Sequence, residues 1–270
     1  MSMLESRREV ARLAGALHVE ERELAYLRDQ PAEALRTLRV GLSEHLFERH
    51  RRTFRRIGKL AGSVPAPLAG RIAQAALGPA VSARAAATME PPLAVKLSSS
   101  LPAGFLAELS VQLDPERARP IIAGLPERTI LDVSAILLER GEHLAMSRFI
   151  PVISADLAVR VIEQAERRVI LAIANLAEDN AAVEQILERL PVADDAHLAA
   201  AVTDEEVALD ALSLAARVSP ANGARVLRAG LDRPDVAGLV AGAITTYGLA
   251  DELKQALDEL SDDERSALGA

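Results

Sequence analysis

The sequence predicts an all-α protein: an α-solenoid, a superhelical stack of short helices, behind an N-terminal two-helix cap. Three observations predict it. The apolar half of the chain is mainly Ala, Leu, Val and Ile, with 2% aromatic residues and no Trp. Ala and Leu head the helix-propensity ranking, whereas the aromatic strand formers are scarce. Prolines interrupt the apolar runs at short intervals, and no alternating strand pattern of useful length is present. A phrase also repeats. Leu101-Pro102 opens L-P-x-x-F-L-A-E-L-S-V-Q-L, Leu125-Pro126 opens L-P-x-x-T-I-L-D-V-S-A-I-L, and Ile150-Pro151 opens a looser third copy. Repeats of this length, built from proline-led helical runs, are the signature of stacked helical arrays.

The elements follow in order. Ser2-Met3-Leu4-Glu5 and Ser6-Arg7-Arg8-Glu9 each match a capping box, so a helix starts here, with Leu13, Leu17, Leu24 and Leu27 as its stripe. Asp29-Gln30-Pro31 ends it. Pro31 suits the first turn of a second helix, whose stripe runs through Leu35, Leu38, Leu42, Leu46, Phe54, Ile57 and Leu60 to the stop at Gly62-Ser63-Val64-Pro65. Residues 1–62 therefore form a helical pair and residues 63–270 a repeat superhelix. Within the superhelix, Asp114, Ser154, Thr203, Ser219 and Ser261 are expected N-caps. Leu106/Ile130, Leu109/Val133 and Leu113/Leu137 are expected at equivalent buried positions of successive copies. Helices this short cannot each close a core, so neighbours must cover one another's apolar faces.

Charge is distributed unevenly. Residues 1–60 hold 13 Lys/Arg against 9 Asp/Glu, residues 61–177 hold 11 of each, and residues 178–270 hold 7 against 19. A basic head and an acidic tail attract different partners, or each other in a second copy. There is no cysteine, which removes disulfides and thiolate chemistry. The first residues carry no apolar h-region, and the longest uncharged apolar stretch, Val236 to Ala250, is short of the ~20 residues a membrane span needs. A cytoplasmic location is expected.

The run from about Leu93 to Leu190, with its L-P-x-x-x-[LI]-x-x-[LV] phrases and D-P-E-R-A-R-P-I-I-A-G-L-P, resembles the superhelical cytosolic N-terminal domain of MgtE-type magnesium transporters. It is similar also to the helical repeats of the flagellar motor-switch protein FliG. The resemblance implies short paired helices and, by analogy, a regulatory domain sensing a divalent cation or small ligand. No membrane part or nucleotide-sensing domain is recognisable, and no ion-binding residue carries over.

The most suggestive surface is on the second helix. Arg49, Arg52, Arg56 and Lys59 step by three, four and three, with Arg51 and Arg55 beside them. Like charges at this spacing repel, and an anionic partner relieves the repulsion. These six residues are the expected partner-binding site. An acidic protein face leads, an anionic membrane met through the Phe47/Phe54 helix is second, and nucleic acid is not expected, because the chain as a whole is acidic and lacks a reading motif. His50 and His45 are five apart, unlike an i, i+4 metal pair. The acidic runs Asp204–Glu206 and Asp262–Glu264 fall in first helical turns, where the dipole favours them. Ser98-Ser99-Ser100 reads as a helix end. Gly238, Gly242 and Gly248 read as a tightly packed helix or a self-association face. With no nucleophile elbow, P-loop or dinucleotide fingerprint, no enzymatic activity and no cofactor are expected. The expected function is a scaffold or adaptor that binds another protein, a second copy of the chain included.

Overall fold

The computed structural model describes residues 3–17, 19–48, 51–191 and 195–269, with side chains described for all of these except 42–48 and 51. In chain order the α-helices are α1 (Met3–Leu17), α2 (Ala32–Glu48), α3 (Arg51–Ala61), α4 (Ala66–Ile72), α5 (Gly78–Ala86), α6 (Pro91–Ser98), α7 (Ala103–Gln112), α8 (Pro115–Ile122), α9 (Glu127–Glu139), α10 (His143–Phe149) and α11 (Ala155–Ile162). They continue with α12 (Arg167–Leu176), α13 (Asn180–Arg189), α14 (Asp195–Ala200), α15 (Glu205–Ala215), α16 (Pro220–Leu231), α17 (Pro234–Tyr247), α18 (Ala250–Asp258) and α19 (Asp262–Ala267). Short 3₁₀ segments occupy Glu21–Leu27 and Ile150–Val152, and a π-helical turn occupies Ala73–Leu77. No strand occurs among the described residues, and the protein is all-α. Two compact units are formed. The first joins Met1–Arg36 with Ala158–Ala270; the second is Thr37–Leu157. The helices of residues 1–62 thus contribute to both.

In the second unit α3 to α7 each pack on the helix two places along, while α10 packs on α9. One row is α3, α5, α7, α9; the other is α4, α6, α8 and the 3₁₀ segment Ile150–Val152. The sequence explains the alternation. A tight turn after each helix reverses the chain, and the next helix starts at Pro65, Glu90, Pro102 or Pro126, each in the N-cap position with extended ψ. The core lies between the rows: Ala83, Leu109, Leu113, Ala118, Ile122 and Val152 are buried, with Phe105, Ile130 and Phe149 packed against them. Small Ala side chains on facing helices permit the close approach.

In the first unit α15 is the centre. Every residue from Val207 to Ala215 is buried, as expected of a helix apolar on nearly all sides. It packs on α12, α16 and α17, while α14, α16 and α18 pack in succession and α1 lies on α12 and α15. Gly223 makes the approach of α16 possible: a Cβ there would stand 2.6 Å from the Ala215 carbonyl oxygen and 2.8 Å from Ala256 Cβ. Val10, Leu13 and Leu35 form a cluster that Leu24 and Leu27 half-cover.

Several expectations are corrected in detail. The first helix stops at Leu17, and Glu21–Leu27 continues as a separate 3₁₀ segment. Ser6 lies inside α1, where its hydroxyl donates to the Gln30 carbonyl, so it caps nothing. Leu38 and Leu60 are exposed rather than part of a buried stripe; Leu42 and Leu46 have no described side chain. Pro102 and Pro126 are equivalent, but Pro151 sits in the 3₁₀ segment and α11 starts later, behind Ser154. The N-cap of α15 is Asp204, whose carboxylate accepts from Val207 N–H at 3.1 Å, not Thr203. Asp114, Ser219 and Ser261 cap as expected. Of the paired repeat positions, Leu109, Leu113 and Leu137 are buried, while Leu106, Ile130 and Val133 are half-buried.

Candidate functional site

From residue 49 to residue 89 the chain carries eight Lys/Arg (Arg49, Arg51, Arg52, Arg55, Arg56, Lys59, Arg71, Arg84) and no Asp or Glu. Helix α3 turns this bias into a surface. Phe54 is buried and Gly58 faces α5, with Met89 Cγ 3.1 Å from where a Cβ would stand. That packing leaves Arg52, Arg55, Arg56 and Lys59 exposed. The side chains of these four form no ion pair or hydrogen bond among the described residues. Arg51 lies on α3 with its side chain undescribed, and Arg49, with His50, falls outside the described residues. The pairs 52/55, 52/56, 55/59 and 56/59 are all like-charged, each unfavourable by about 0.2–0.5 kcal/mol. Arg84 is used differently: its guanidinium lies 5.8 Å from the Phe54 ring centroid, a cation–π contact. Leu60 (68% exposed), Leu68 (48%), Arg71 and Ile72 (42%) add an exposed apolar and basic fringe on α3 and α4. Sequence reading missed this fringe; the absence of any acid up to Glu90 was the available signal. Because Phe54 faces inward, α3 offers charge and Leu60 outward, not an aromatic wedge.

Cations elsewhere are mostly matched to carboxylates: Arg117 with Asp114 at 2.9 Å, Arg119 with Glu116 at 2.7 Å, Arg225 with Asp195 at 2.7 Å, Arg228 with Glu264 at 2.9 Å and Lys254 with Asp258 at 2.8 Å. The acidic runs are used locally in the same way. Glu264 closes a capping box with Ser261, and Asp204 caps α15. Ser98, Ser99 and Ser100 donate their hydroxyls back to the carbonyls of Val95, Lys96 and Leu97, which is a helix end. Gly238 and Gly242 on α17 are exposed, and none of the described residues comes within 4 Å of where a Cβ would stand at either. Gly248 is the left-handed C-cap of α17, at φ 63°. Close helix approach occurs at Gly223 instead.

The first unit holds a second polar constellation that sequence reading missed, because its members lie some 200 residues apart. Arg12 is buried; it donates to Glu9, to the Leu176 carbonyl at 2.9 Å and to the Ala177 carbonyl at 2.5 Å. Arg217, in the turn after α15, donates to the carbonyls of Ala174 and, at 2.6 Å, Ala177. Two guanidiniums thus cap the C-terminal end of α12, the negative end of its dipole. Beside them Arg7 meets Asp210 at 2.8 Å, Asn175 donates to the same carboxylate oxygen at 2.9 Å, and the Ser213 hydroxyl donates to Asn175 at 2.6 Å. Burial pushes the Asp210 carboxyl up, against the pull of Arg7. Burial, with the charge of Arg12, lowers Arg8 to about 10, and burial with Arg8 and Arg12 lowers Arg217 to about 9. Both remain cationic at neutral pH.

A cavity of about 30 Å³ lies in the same unit, lined by Leu171, Leu212, Val226, Leu227 and Val240, with Arg225 and Asp195 among its lining residues. That is room for about one water molecule, so it offers no substrate pocket. Among the described residues no group of three or more His, Asp or Glu side chains is placed to hold a metal ion, and no helix is long and apolar enough to cross a membrane. No protein-family model matches this chain, and neither a curated protein nor a solved structure matches it.

Proposed function

We propose that the protein is a non-enzymatic interaction module, a scaffold or adaptor, whose α3 face binds an acidic surface of another protein. One observation carries the reading: the exposed side chains of Arg52, Arg55, Arg56 and Lys59 stand on one short helix with no partner among the described residues, while most arginines elsewhere are paired. A free protein keeps four unfavourable like-charge pairs there; an acidic partner turns them into attraction. Exposed Leu60, Leu68 and Ile72 supply apolar area next to the charges, the mixture that interaction surfaces use. The two-row packing of the second unit fits a superhelical repeat, a class of fold that works through its surfaces.

The test is cross-linking and pull-down from native cells with the wild type and with Arg52→Glu/Arg56→Glu. Partners bound through this face are expected to be lost from the variant. Its fold is expected to hold: both residues are exposed, and the new carboxylates face Arg55 and Lys59 at favourable spacing, worth a few tenths of a kcal/mol per pair. An identical partner list for both proteins, with unchanged circular dichroism, rejects the reading.

A further inference from the structure

The last helices of the chain carry the counterpart of the α3 face. Residues 250–267, which hold α18 and α19, contain seven Asp/Glu against two Lys/Arg. Part of that charge is used within the unit: Asp258 pairs with Lys254 at 2.8 Å, Asp262 with Arg265, and Glu264 with Arg228 at 2.9 Å. Asp251, Glu259 and Asp263 are exposed, and their carboxylates form no ion pair or hydrogen bond among the described residues. Helix α18 buries Leu253, Ala256 and Leu257, which turns Asp251, Gln255 and Asp258 outward at i, i+4 and i+7, with the C-cap Glu259 at the end of that face. Both surfaces also place charge at the wrong end of a helix. Asp258 and Glu259 stand at the C-terminal end of α18, which has no basic residue in its last turn. Arg51 and Arg52 open α3, which has no acidic residue in its first turn. Acids are unfavourable at the negative end of a helix dipole, and cations at the positive end.

We propose that the acidic partner of α3 is the α18–α19 surface of a second copy of this chain, met antiparallel, with Arg52 against Glu259 and Lys59 against Asp251. This rests on the reading of α3 as a protein-binding face and names its partner. Charge and length select it. From Arg52 to Lys59 and from Asp251 to Glu259 the rows are about 10 and about 12 Å long at the helical rise, so the two match end to end. The antiparallel order sets the misplaced cations of α3 beside the misplaced acids of α18, and both dipole conflicts are relieved together with the like-charge repulsion along α3. The parallel order would set each misplaced charge against one that its own helix dipole already favours. Every copy brings both surfaces, so the contact joins unlike faces of identical chains.

A charge swap in the full chain tests this, by sedimentation velocity at about 0.01 M salt, where the screening length is about 30 Å. The wild type is expected to associate. Arg52→Glu/Arg56→Glu and Asp251→Lys/Glu259→Lys are each expected to be monomeric alone, because each sets like charge against like. Mixed in equal amounts they are expected to associate again: the new glutamates of one meet the new lysines of the other, and the untouched surfaces still match. All four substituted side chains are exposed, and circular dichroism checks that both variants keep their helix content. A monomeric wild type overturns the proposal. So does Asp251→Lys/Glu259→Lys associating as the wild type does, or a mixture of two helical variants that stays monomeric. If one variant loses its helices, the wild type and the other variant decide. None of these outcomes rejects the α3 reading itself, which fails only if Arg52→Glu/Arg56→Glu keeps every partner of the wild type in the pull-down.

Discussion

Glu184 shows how one residue decides a local geometry that its sequence context does not reveal. It sits on the face of α13 toward the start of α16, and three donors converge on its carboxylate: the Ser219 hydroxyl and the Asn222 amide, and the Ser219 N–H at 2.9 Å. Burial alone raises its pKa, but the three hydrogen bonds outweigh burial and hold it below the ordinary glutamate value. A carboxyl with a depressed folded pKa stabilises above its unfolded pKa and loses that contribution as pH falls through the folded one. Glu184→Gln keeps an acceptor oxygen but loses the charge, so it is expected to be less stable than the wild type by about 1 kcal/mol at pH 7. The gap should narrow as the pH falls through the depressed folded pKa, from pH 7 to the lowest pH at which both proteins stay folded. Urea denaturation of both proteins at the two pH values checks this; a gap unchanged by acid would show that packing, not ionisation, is what Glu184 supplies. The acid-sensitive contact is invisible in the sequence because Glu184 and Ser219 are 35 residues apart, and only the meeting of α13 with α16 joins them.

At the scale of elements, the glycines of α16 and α17 separate close approach from mere presence. Gly223→Ala would drive a Cβ into the Ala215 backbone carbonyl and Ala256 Cβ. Neither is the tip of a flexible side chain, so a loss of about 1–3 kcal/mol is expected. Gly238→Ala meets nothing within 4 Å on an exposed helical face and is expected to stabilise by about 0.5–1 kcal/mol. Paired melts measure both, and reversed signs would place α17, not α16, at the tight interface. The same comparison shows what the sequence can yield. Helix existence and most stops were legible, because Ala/Leu runs and the N-caps at Asp114, Ser219 and Ser261 are local signals. The stripe through Leu38 and Leu60 was misread: 3.6-residue periodicity identifies a face but not whether another helix covers it. The cationic face of α3 was legible from the spacing of Arg52, Arg56 and Lys59, since a helix projects i, i+3 and i, i+4 together. The Arg8–Arg12–Arg217 cluster was not, since no local pattern brings α1 beside the end of α12. For the glycine pair on α17, spacing alone left open a packed helix or a self-association face, and the exposure of Gly238 and Gly242 removes only the first.

For the molecule as a whole, the unmatched charge decides how the proposed interaction is read out. Residues 49–89 carry eight cations and no acid, while residues 178–270 carry 7 cations against 19 acids. A second copy of the chain therefore brings the kind of surface α3 requires, with exposed Asp251, Glu259 and Asp263 outside the ion pairs that use Asp258, Asp262 and Glu264. Attraction between such surfaces is long-ranged only in dilute salt: the screening length is about 30 Å at 0.01 M and about 3 Å at 1 M. If the acidic partner is another copy, sedimentation velocity is expected to show association near 0.01 M salt that is gone near 1 M. Arg52→Glu/Arg56→Glu should be monomeric throughout, because it removes four units of charge difference from one face. Dimers that persist at high salt in both proteins would assign the contact to the exposed leucines and isoleucine rather than to charge. A wild type monomeric at every salt would exclude the second copy as the acidic partner of α3.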